Sequence, residues 1–451
     1  MQPVNWQQFG LKSNPYDTLP LIEGGYLSIE DAFVGRDKEI NFLDNLFESE
    51  RRSCLAICGN VGVGKTSLAN FQKVIWKYRK PKLLFSSRRE IEASDLSLNK
   101  KSFLLEIIGS MIREIELIDP GLLKDDFISK LNRLLDIVQT MDISGGISVL
   151  GSGGDFGINK NYTQPLDVSI SMLEKYFVSL IKFVKENEIG GYKYSGIIVH
   201  VNNFDVVLAE KENKKKVIQF FNEIRDILQT PDVYYLFLGP NNLFKDVIGS
   251  QDRVKSVFFR TPLRIDPLSK GELIQAFEKR MALLKSNDIP NYIKPVKDEV
   301  VYNLYDLYEG DIRLIMSSIS DILSKISDKF GKSLSVDEAR ILLAQERWER
   351  IEELIKLTEE QKVILKSIIK SKNPISQKEI ADLSGKAQSN VSGYYFKPLK
   401  DNEIIEEKGR IKNKPLWGLT RDYEPLKWLV DAQEKMQINL EEKSSQMSLE
   451  I

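Results

Sequence analysis

The sequence predicts an α/β fold with a mostly parallel central sheet, followed by a helical region and a small C-terminal winged-helix domain. Apolar runs at 54–58, 196–201 and 232–238 are nearly continuous, which is typical of strands buried on both faces of a parallel sheet. Helical patterns separate these runs, and beyond Pro267 the chain is almost wholly helical. Strands that alternate with helices favour an α/β layer arrangement.

The chain has 451 residues, enough for several domains, and we divide it where its composition changes. The predicted parts are an irregular arm at 1–32, an α/β core at 33–266, a helical lid and connector at 267–350, a winged helix at 351–425 and a charged tail at 426–451. Within the core, the segment 141–163 is rich in Gly, Ser, Asn and Asp. It fits either a flexible β-hairpin or a loop, and we interpret it as an insertion available to a partner protein.

Local patterns predict each element of the core and the lid. Ile40, Leu43 and Leu46 recur at three-residue spacing and predict an amphipathic helix at 36–48. The other predicted core elements are strand 54–58, a helix ending near 78, strand 82–86, helices 101–117 and 169–187, strands 196–201 and 232–238, and a last strand at 257–259. The lid is predicted as helices 269–286, 297–308, 310–327 and 335–353.

A complete phosphate-binding loop, G-x-x-x-x-G-K-T, lies between strand 54–58 and the next helix. It consists of Gly59, Asn60, Val61, Gly62, Val63, Gly64, Lys65 and Thr66, and Ser67 follows at the start of the helix. The glycines let backbone N–H groups point at phosphates, and the helix adds its positive dipole end. Lys65 is expected to reach the β- and γ-phosphates, and the Thr66 hydroxyl to bind Mg²⁺. The loop therefore predicts binding of ATP and Mg²⁺.

The residues after the buried strand 196–201 depart from those of an efficient phosphate-loop ATPase. Such enzymes usually place an acid there to hold the water on Mg²⁺ and a second acid to polarise the attacking water. This chain has Asn202 and Asn203 at these positions. An amide cannot accept a proton, so hydrolysis is expected to be slow unless Asp205 or another acid substitutes. By this reasoning, Asn203→Glu should raise turnover.

Three further motifs flank the loop in a particular order. They are Phe33-Val34-Gly35-Arg36 before the loop, Gln251-Asp252-Arg253-Val254-Lys255-Ser256 after the strand at 232–238, and Gly310-Asp311-Ile312-Arg313 in the lid. With the phosphate-binding loop and a C-terminal winged helix, this order resembles the AAA+ ATPases of the origin-recognition (Orc/Cdc) initiator group. The resemblance covers about residues 30–425 and implies a P-loop AAA+ core.

The resemblance also implies roles for individual residues. Val34 and Arg36 would line the adenine pocket. Asn242, or its neighbour Asn241, would sense the γ-phosphate, and Arg313 would be the sensor in the lid. Arg253 matches the arginine finger that serves a nucleotide in an adjoining subunit, so a homo-oligomer or a partner protein is implied, with the insertion 141–163 as a second contact.

The C-terminal region points to double-stranded DNA as a partner. From Gln361 to Arg421 there are eleven Lys and two Arg against two Asp and four Glu, a net charge of +7, whereas the whole chain carries −1. The helix that begins near Ala387 offers polar side chains where a recognition helix meets base edges. The predicted DNA-contacting residues are Gln388, Ser389, Asn390 and Lys397 on this helix and Lys408, Arg410, Lys412 and Lys414 on the following wing.

Composition excludes several other classes. No uninterrupted apolar run is long enough to span a membrane, and the N-terminus lacks the pattern of a secretory signal, so a cytoplasmic protein is expected. The two cysteines, Cys54 and Cys58, should be buried on one face of their strand, and the single histidine, His200, should lie in the core.

Together these observations predict a slow, ATP-held AAA+ switch on DNA, acting in processes such as replication, recombination or transposition. The alternative is a STAND-type signalling or defence ATPase, in which the winged helix is a nucleotide-controlled latch for oligomerisation. A winged helix that only packs against protein, and an ordinary metabolic kinase, are further alternatives.

Overall fold

The computed structural model describes residues 4–145, 168–326, 332–371 and 373–429; the side chains of 137–145 and of Ser392 are outside this description. The chain divides into two compact units, Leu19–Leu268 and Met1–Thr18 with Ser269–Ile451. The arm predicted at 1–32 is therefore divided between the units at Thr18. From residue 146 onward, the insertion predicted at 141–163 lies outside the described residues, as does the tail from 430.

The unit Leu19–Leu268 is built on a parallel sheet. The strands of this unit are β1 Ser53–Gly59, β2 Leu84–Ser86, β3 Ile91–Glu92, β4 Glu188–Ile189, β5 Tyr192–Lys193, β6 Gly196–Asn202, β7 Val233–Gly239 and β8 Leu263–Ile265. The parallel sheet has the order β2-β6-β7-β1-β8, and β3 also pairs with β6, while β4 and β5 form a separate hairpin. The prediction of an α/β fold with a mostly parallel sheet is confirmed.

Helices cover both faces of this sheet. They are α1 Ile29–Ala32, α2 Asp37–Ser49, α3 Lys65–Tyr78, α4 Lys100–Ile118, α5 Asp126–Gly145, α6 Ile170–Glu186, α7 Phe204–Ala209, α8 Asn213–Ile224 and α9 Asp252–Lys255. Cys54 and Cys58 point into the core shared with α4, α6 and α8, whereas Leu55 and Ile57 point into the core shared with α2 and α3. The two cysteines are thus buried on one face of β1, as predicted.

The predicted strands differ from the observed strands in two ways. The segment 257–259 is not a strand, because the chain turns there after α9, and the edge strand β8 begins four residues later at Leu263. Only the Phe259 N–H reaches the sheet edge, where it donates to the Cys54 carbonyl over 2.8 Å. The two-residue strands β3, β4 and β5 were not predicted, since they are too short to show any periodicity.

The second unit begins with a helical part. Its helices are α10 Lys270–Leu284, α11 Asp298–Leu307, α12 Ile312–Ser324 and α13 Val336–Arg350. The N-terminal residues pack on this part: the Tyr16 ring meets Phe277 edge-on at 5.2 Å, and Arg280 donates to the Asp17 carbonyl over 2.8 Å. Among the described residues, no helix is both long and apolar enough to cross a membrane.

The C-terminal part of this unit has the form of a winged helix. It consists of α14 Glu359–Lys370, β9 Ile375–Ser376, α15 Gln377–Ser384, α16 Gln388–Asn390, α17 Phe396–Asp401, β10 Ile405–Ile411 and β11 Lys414–Leu419. A π-helical turn, Val391–Tyr395, joins α16 to α17 into one continuous helix. Strands β10 and β11 form the wing, and its two-residue turn uses Lys412 and Asn413 at φ 48° and 65°.

Candidate functional site

The phosphate-binding loop connects β1 to α3 at the carboxyl edge of the sheet. Gly62 and Gly64 have φ values of 78° and 90°, a backbone conformation that residues with a Cβ rarely adopt. Gly59 has no room for a side chain, since a Cβ atom there would lie 2.6 Å from the Ile265 carbonyl oxygen. The glycines of the motif are therefore required by the path of the backbone, as the sequence predicts.

Lys65 is the first residue of α3, and its buried side chain contacts this loop. Its Nζ atom donates to the carbonyl oxygens of Gly59 at 2.9 Å and Asn60 at 2.8 Å. The Asp205 carboxylate on α7 lies 3.3 Å from the same atom. All of these partners are oxygen atoms, which phosphate oxygens can replace without leaving the ammonium group unsatisfied. The contacts of the Lys65 ammonium group therefore fit the phosphates of a nucleotide.

Thr66 is joined to the end of β6. Asn202 Nδ2 donates to Thr66 Oγ1 over 3.1 Å. This bond brings the hydroxyl oxygen predicted to bind Mg²⁺ beside the amide of Asn202, and both are oxygen-bearing groups of the kind that Mg²⁺ and its bound waters prefer. The pair fits a hydrated Mg²⁺ ion, although neither member carries a negative charge.

Asn203 interacts with a different strand. Its backbone is left-handed, with φ 61°, and its Nδ2 donates to the Glu92 carboxylate at the end of β3. Strand β3 runs parallel to the end of β6, with Glu92 opposite Asn202 in register. Burial raises the pKa of Glu92, the hydrogen bond from Asn203 opposes this shift, and the nearby charges of Glu90 and Asp95 add to it.

The motif that contains Arg36 contacts the phosphate-binding loop. The buried Arg36 guanidinium donates to the Val63 carbonyl, inside the loop, over 2.8 Å and pairs with Glu39 at 3.2 Å. Phe33 stacks on Phe71 of α3 with ring centroids 4.4 Å apart. Arg36 thus positions the loop backbone, a role that its assignment to an adenine pocket did not include.

The two asparagines after β7 behave differently. Asn241 Nδ2 donates to Asn60 Oδ1 of the phosphate-binding loop over 2.7 Å. Asn242 instead lies 3.4 Å from Asp246, a residue of its own helical turn. The structure thus brings Asn241 to the loop, whereas the sequence favoured Asn242 over its neighbour.

The predicted arginine finger, Arg253, and the predicted lid sensor, Arg313, are both exposed. Arg253 lies in α9, and its backbone carbonyl accepts a hydrogen bond from Arg225 Nε over 2.9 Å. Arg313 is the second residue of α12, where its N–H donates to the capping side chain of Asp311 over 3.0 Å. Arg313 belongs to the second unit and Arg253 to the first, and their roles stay predictions.

A buried ionic cluster anchors α3 behind the loop. The fully buried Lys77 pairs with Glu114 of α4 at 2.6 Å and with Glu23 at 3.1 Å. Glu114 also accepts a hydrogen bond from the Arg88 N–H over 2.8 Å. Lys73 donates to the Ser87 carbonyl over 2.9 Å, and burial lowers its pKa to about 8. This cluster holds the helix that presents Lys65 and Thr66.

In the winged helix, all eight predicted DNA-contacting residues are exposed. The basic side chains of the wing fall into two groups. Lys408 pairs with Glu406 at 2.5 Å and Arg410 with Glu407, so wing carboxylates partly neutralise both. Lys412 and Lys414, at and beside the turn, make no ion pair within the described part of the chain.

Sequence reasoning missed Glu92 as a site residue. Its strand has only two residues, and the register that brings it to the sheet edge is set by pairing with β6. Its one local signal is an acid that follows an apolar residue after the strand at 84–86, which is too common to be diagnostic.

No protein-family model and no curated protein matches this chain. Several solved structures are similar to it. The Aeropyrum pernix ORC1 protein in complex with DNA is 14% identical and aligns over 92% of this chain and 96% of its own, with a TM-score of 0.45. The Aeropyrum pernix ORC2 protein is 15% identical over 94% of this chain and 99% of its own, with a TM-score of 0.46. Drosophila ORC bound to DNA is 11% identical over 90% of this chain and 93% of its own, with a TM-score of 0.42.

These proteins carry the name of the initiator group that the sequence resembles.

Proposed function

We propose that this chain is an ATP-binding switch protein of the AAA+ type that binds double-stranded DNA through its winged helix and hydrolyses ATP slowly. The observation that carries the proposal is the arrangement at the edge of the sheet, where Lys65 Nζ is held by two loop carbonyls and the Asp205 carboxylate, and Thr66 is hydrogen-bonded to Asn202. The processes that fit such a switch are DNA replication, recombination or transposition.

The phosphate-binding loop would hold the nucleotide through charge and through its fixed backbone geometry. Lys65 exchanges its contacts with the loop carbonyls for β- and γ-phosphate oxygens and keeps Asp205 beside it, while N–H groups of the loop and the first turn of α3 donate to the same phosphates. Thr66 binds Mg²⁺, which neutralises phosphate charge when bound. Arg36 keeps the loop in shape through the Val63 carbonyl.

Slow hydrolysis follows from the amides at the end of β6. Asn202 can orient a water molecule but brings no charge to Mg²⁺, and Asn203 cannot take a proton from the attacking water. A bound ATP molecule would therefore persist, and the switch would spend long periods in its ATP-bound state. In this proposal the γ-phosphate is sensed by Asn241 or Asn242, by Arg313, and by Arg253 of an adjoining subunit. Val34 and Ser67 complete the nucleotide pocket.

DNA binding is proposed for the continuous helix from Gln388 to Asp401 and for the wing. Exposed amides and hydroxyls near the start of this helix suit base edges, and the lysines suit phosphates. Lys412 and Lys414 should contribute more than Lys408 and Arg410, because a side chain that is already ion-paired gains less from a phosphate.

Two titrations test this function. A fluorescent ATP analogue with Mg²⁺ should bind the full chain, and Lys65→Ala should abolish binding, with Lys38→Ala, on α2, as the matched charge control. A duplex DNA titration at several salt concentrations should give an affinity that falls steeply with salt. The proposal fails if the wild type binds no ATP, and its DNA part fails if low salt reveals no affinity for duplex.

The alternative, a STAND-type latch, is favoured by one observation. Buried Arg347 of α13 pairs with Asp321 of α12 and with Asp422 after the wing, both at 2.8 Å, which ties the winged helix to the helical part of its unit. A latch would release this contact when ATP binds. Measuring the mass of the full chain with and without ATP, beside the DNA titration, separates the two functions.

A further inference from the structure

We infer that Glu92 is the catalytic carboxylate of this site, which receives the proton of the attacking water in place of the acid missing at position 203. The inference rests on the proposed function, because it needs ATP at the phosphate-binding loop. It identifies the group responsible for whatever turnover the switch retains.

Glu92 lies beside the end of β6. Glu92 ends β3 directly opposite Asn202 in a parallel pair, and the Ala93 N–H donates to the Asn202 carbonyl over 2.9 Å. Neighbouring strands lie about 4.8 Å apart, so the Glu92 carboxylate emerges one strand spacing from the residue that holds Thr66. It leaves the sheet at the same edge as the phosphate-binding loop.

The hydrogen bond from Asn203 orients the Glu92 carboxylate. A carboxylate that accepts an amide N–H is held in one orientation and keeps its remaining lone pairs available. Asn203 is well suited to this task, since Asn adopts its left-handed backbone, φ 61°, more readily than most residues. The carboxylate of this pair, Glu92, lies on β3, and the amide, Asn203, follows β6.

Asp205 is the competing acid, and its contacts assign it another role. Its carboxylate lies 3.3 Å from Lys65 Nζ, so it neutralises the cation that grips the phosphates. A carboxylate in this ion pair is occupied by the ammonium group, whereas the Glu92 carboxylate is held by a neutral amide.

The reaction is an ordinary hydrolysis and balances with water alone. The water oxygen forms a bond to the γ-phosphorus, and the bond from that phosphorus to the oxygen shared with the β-phosphate breaks, which gives ADP and inorganic phosphate. Glu92 accepts a proton from the water and later releases it to solvent or to the phosphate. No oxidant, reductant or second substrate is required.

The test compares four proteins, all as the full chain. Glu92→Gln removes the carboxylate in nearly the same shape, and Glu90→Gln removes an equal charge two residues away as the matched control. Glu92→Gln with Asn203→Asp moves the carboxylate to the other side of the pair. Turnover of ATP and the affinities for ATP and ADP are measured for each, and thermal unfolding checks that each variant folds.

We expect Glu92→Gln to lower turnover at least about a hundredfold, as removal of a general base does. It should also raise the preference for ATP over ADP about fivefold, because a negative charge near the γ-phosphate is lost. The second readout is independent of turnover, and a purely structural role would not change it. Glu90→Gln should resemble the wild type, and the swapped pair should recover at least about tenfold of the lost turnover.

Three results overturn the inference. They are equal turnover in Glu92→Gln and the wild type, equal effects of Glu92→Gln and Glu90→Gln, and a wild type that binds ATP without measurable turnover. In each of these cases the ATP-binding switch still stands. If the wild type binds no ATP, the proposed function itself has failed and the inference falls with it.

Discussion

Replacing Asn203 with aspartate perturbs the site in the most informative way, because it adds one charge with almost no change of volume. The Asn203 amide donates to the Glu92 carboxylate, so Asn203→Asp places two carboxylates at hydrogen-bond distance. Asp tolerates a left-handed backbone nearly as well as Asn, so the φ of 61° adds little cost. Asn203→Glu, which the sequence alone favoured as a gain of function, has the same repulsion and a poorer backbone fit.

The magnitude follows from two competing costs. Two charges about 4 Å apart repel by about 4 kcal/mol at an effective dielectric constant of about 20. Alternatively, one of the two carboxyl groups keeps its proton. This costs about 1.4 kcal/mol for each pH unit above the ordinary pKa of the group, and pH 7 lies roughly three units above that pKa. Because Glu92 is partly exposed, solvent screening reduces the repulsion, and we expect a loss of about 2–3 kcal/mol in the free energy of unfolding at pH 7.

The sign of the pH dependence is fixed by the same reasoning. Repulsion raises the pKa of the carboxyl pair in the folded state above its unfolded value, so the folded state binds more protons and the variant loses stability as the pH rises. At pH 5 the protonation route costs only about 1.4 kcal/mol, and the loss should shrink to about 1 kcal/mol. The wild type, with one carboxylate and one amide, has no such repulsion.

Hydrogen–deuterium exchange of the β6 peptide, in the full chain with and without urea, measures the local free energy of opening at both pH values. Asn203→Asp in the Glu92→Gln background is the matched control and should be nearly neutral. If the loss of stability is equal in both backgrounds, or the same at pH 5 and pH 7, the side chains of Asn203 and Glu92 are not in contact.

Three further outcomes are expected. Glu114→Gln should cost about 3 kcal/mol, measured by urea unfolding, because it leaves the buried Lys77 ammonium short of its closest charge partner. Both ring nitrogens of buried His200 lack a partner in the described chain, and burial, aided by Lys73, holds its pKa well below the usual value. Wild-type stability should therefore fall as the pH drops below about 6.5, by up to about 1.4 kcal/mol per pH step, and His200→Leu should remove that part of a thermal-unfolding pH series. Replacing Lys412 and Lys414 with alanine should reduce the slope of log affinity for DNA against log salt by about 2, and a smaller change than that of the paired wing residues would contradict the proposed contacts.

The sequence predicted the features of the fold that depend on local pattern. Long apolar runs gave β1, β6 and β7, and the glycine spacing of the loop matched the positive φ values of Gly62 and Gly64. Periodicity cannot reveal a strand of two residues, so β3 was missed, and the aromatic run at 257–259 was taken for a strand because its residues favour sheets. Pairing with a neighbour, which is non-local, decided both cases.

The candidate site divides in the same way. Lys65, Thr66 and Asn202 were identified from one motif and one strand end, and the structure brings all three together. Glu92 is about 110 positions from Asn203 in the chain, and only the parallel pairing of β3 with β6 brings the two side chains into contact. A sequence read as separate motifs could find that an acid was missing, but not which residue stands near its place.

A slow, ATP-held switch must retain ATP labelled at the γ-phosphate. Purified protein mixed with Mg²⁺ and labelled ATP should retain close to one ATP per chain and release labelled phosphate far more slowly than the roughly 10 s⁻¹ of a typical enzyme. Lys65→Ala should retain none. A wild type that retains no ATP, or that releases phosphate at an ordinary enzymatic rate, would contradict the central claim of a slow, ATP-held switch.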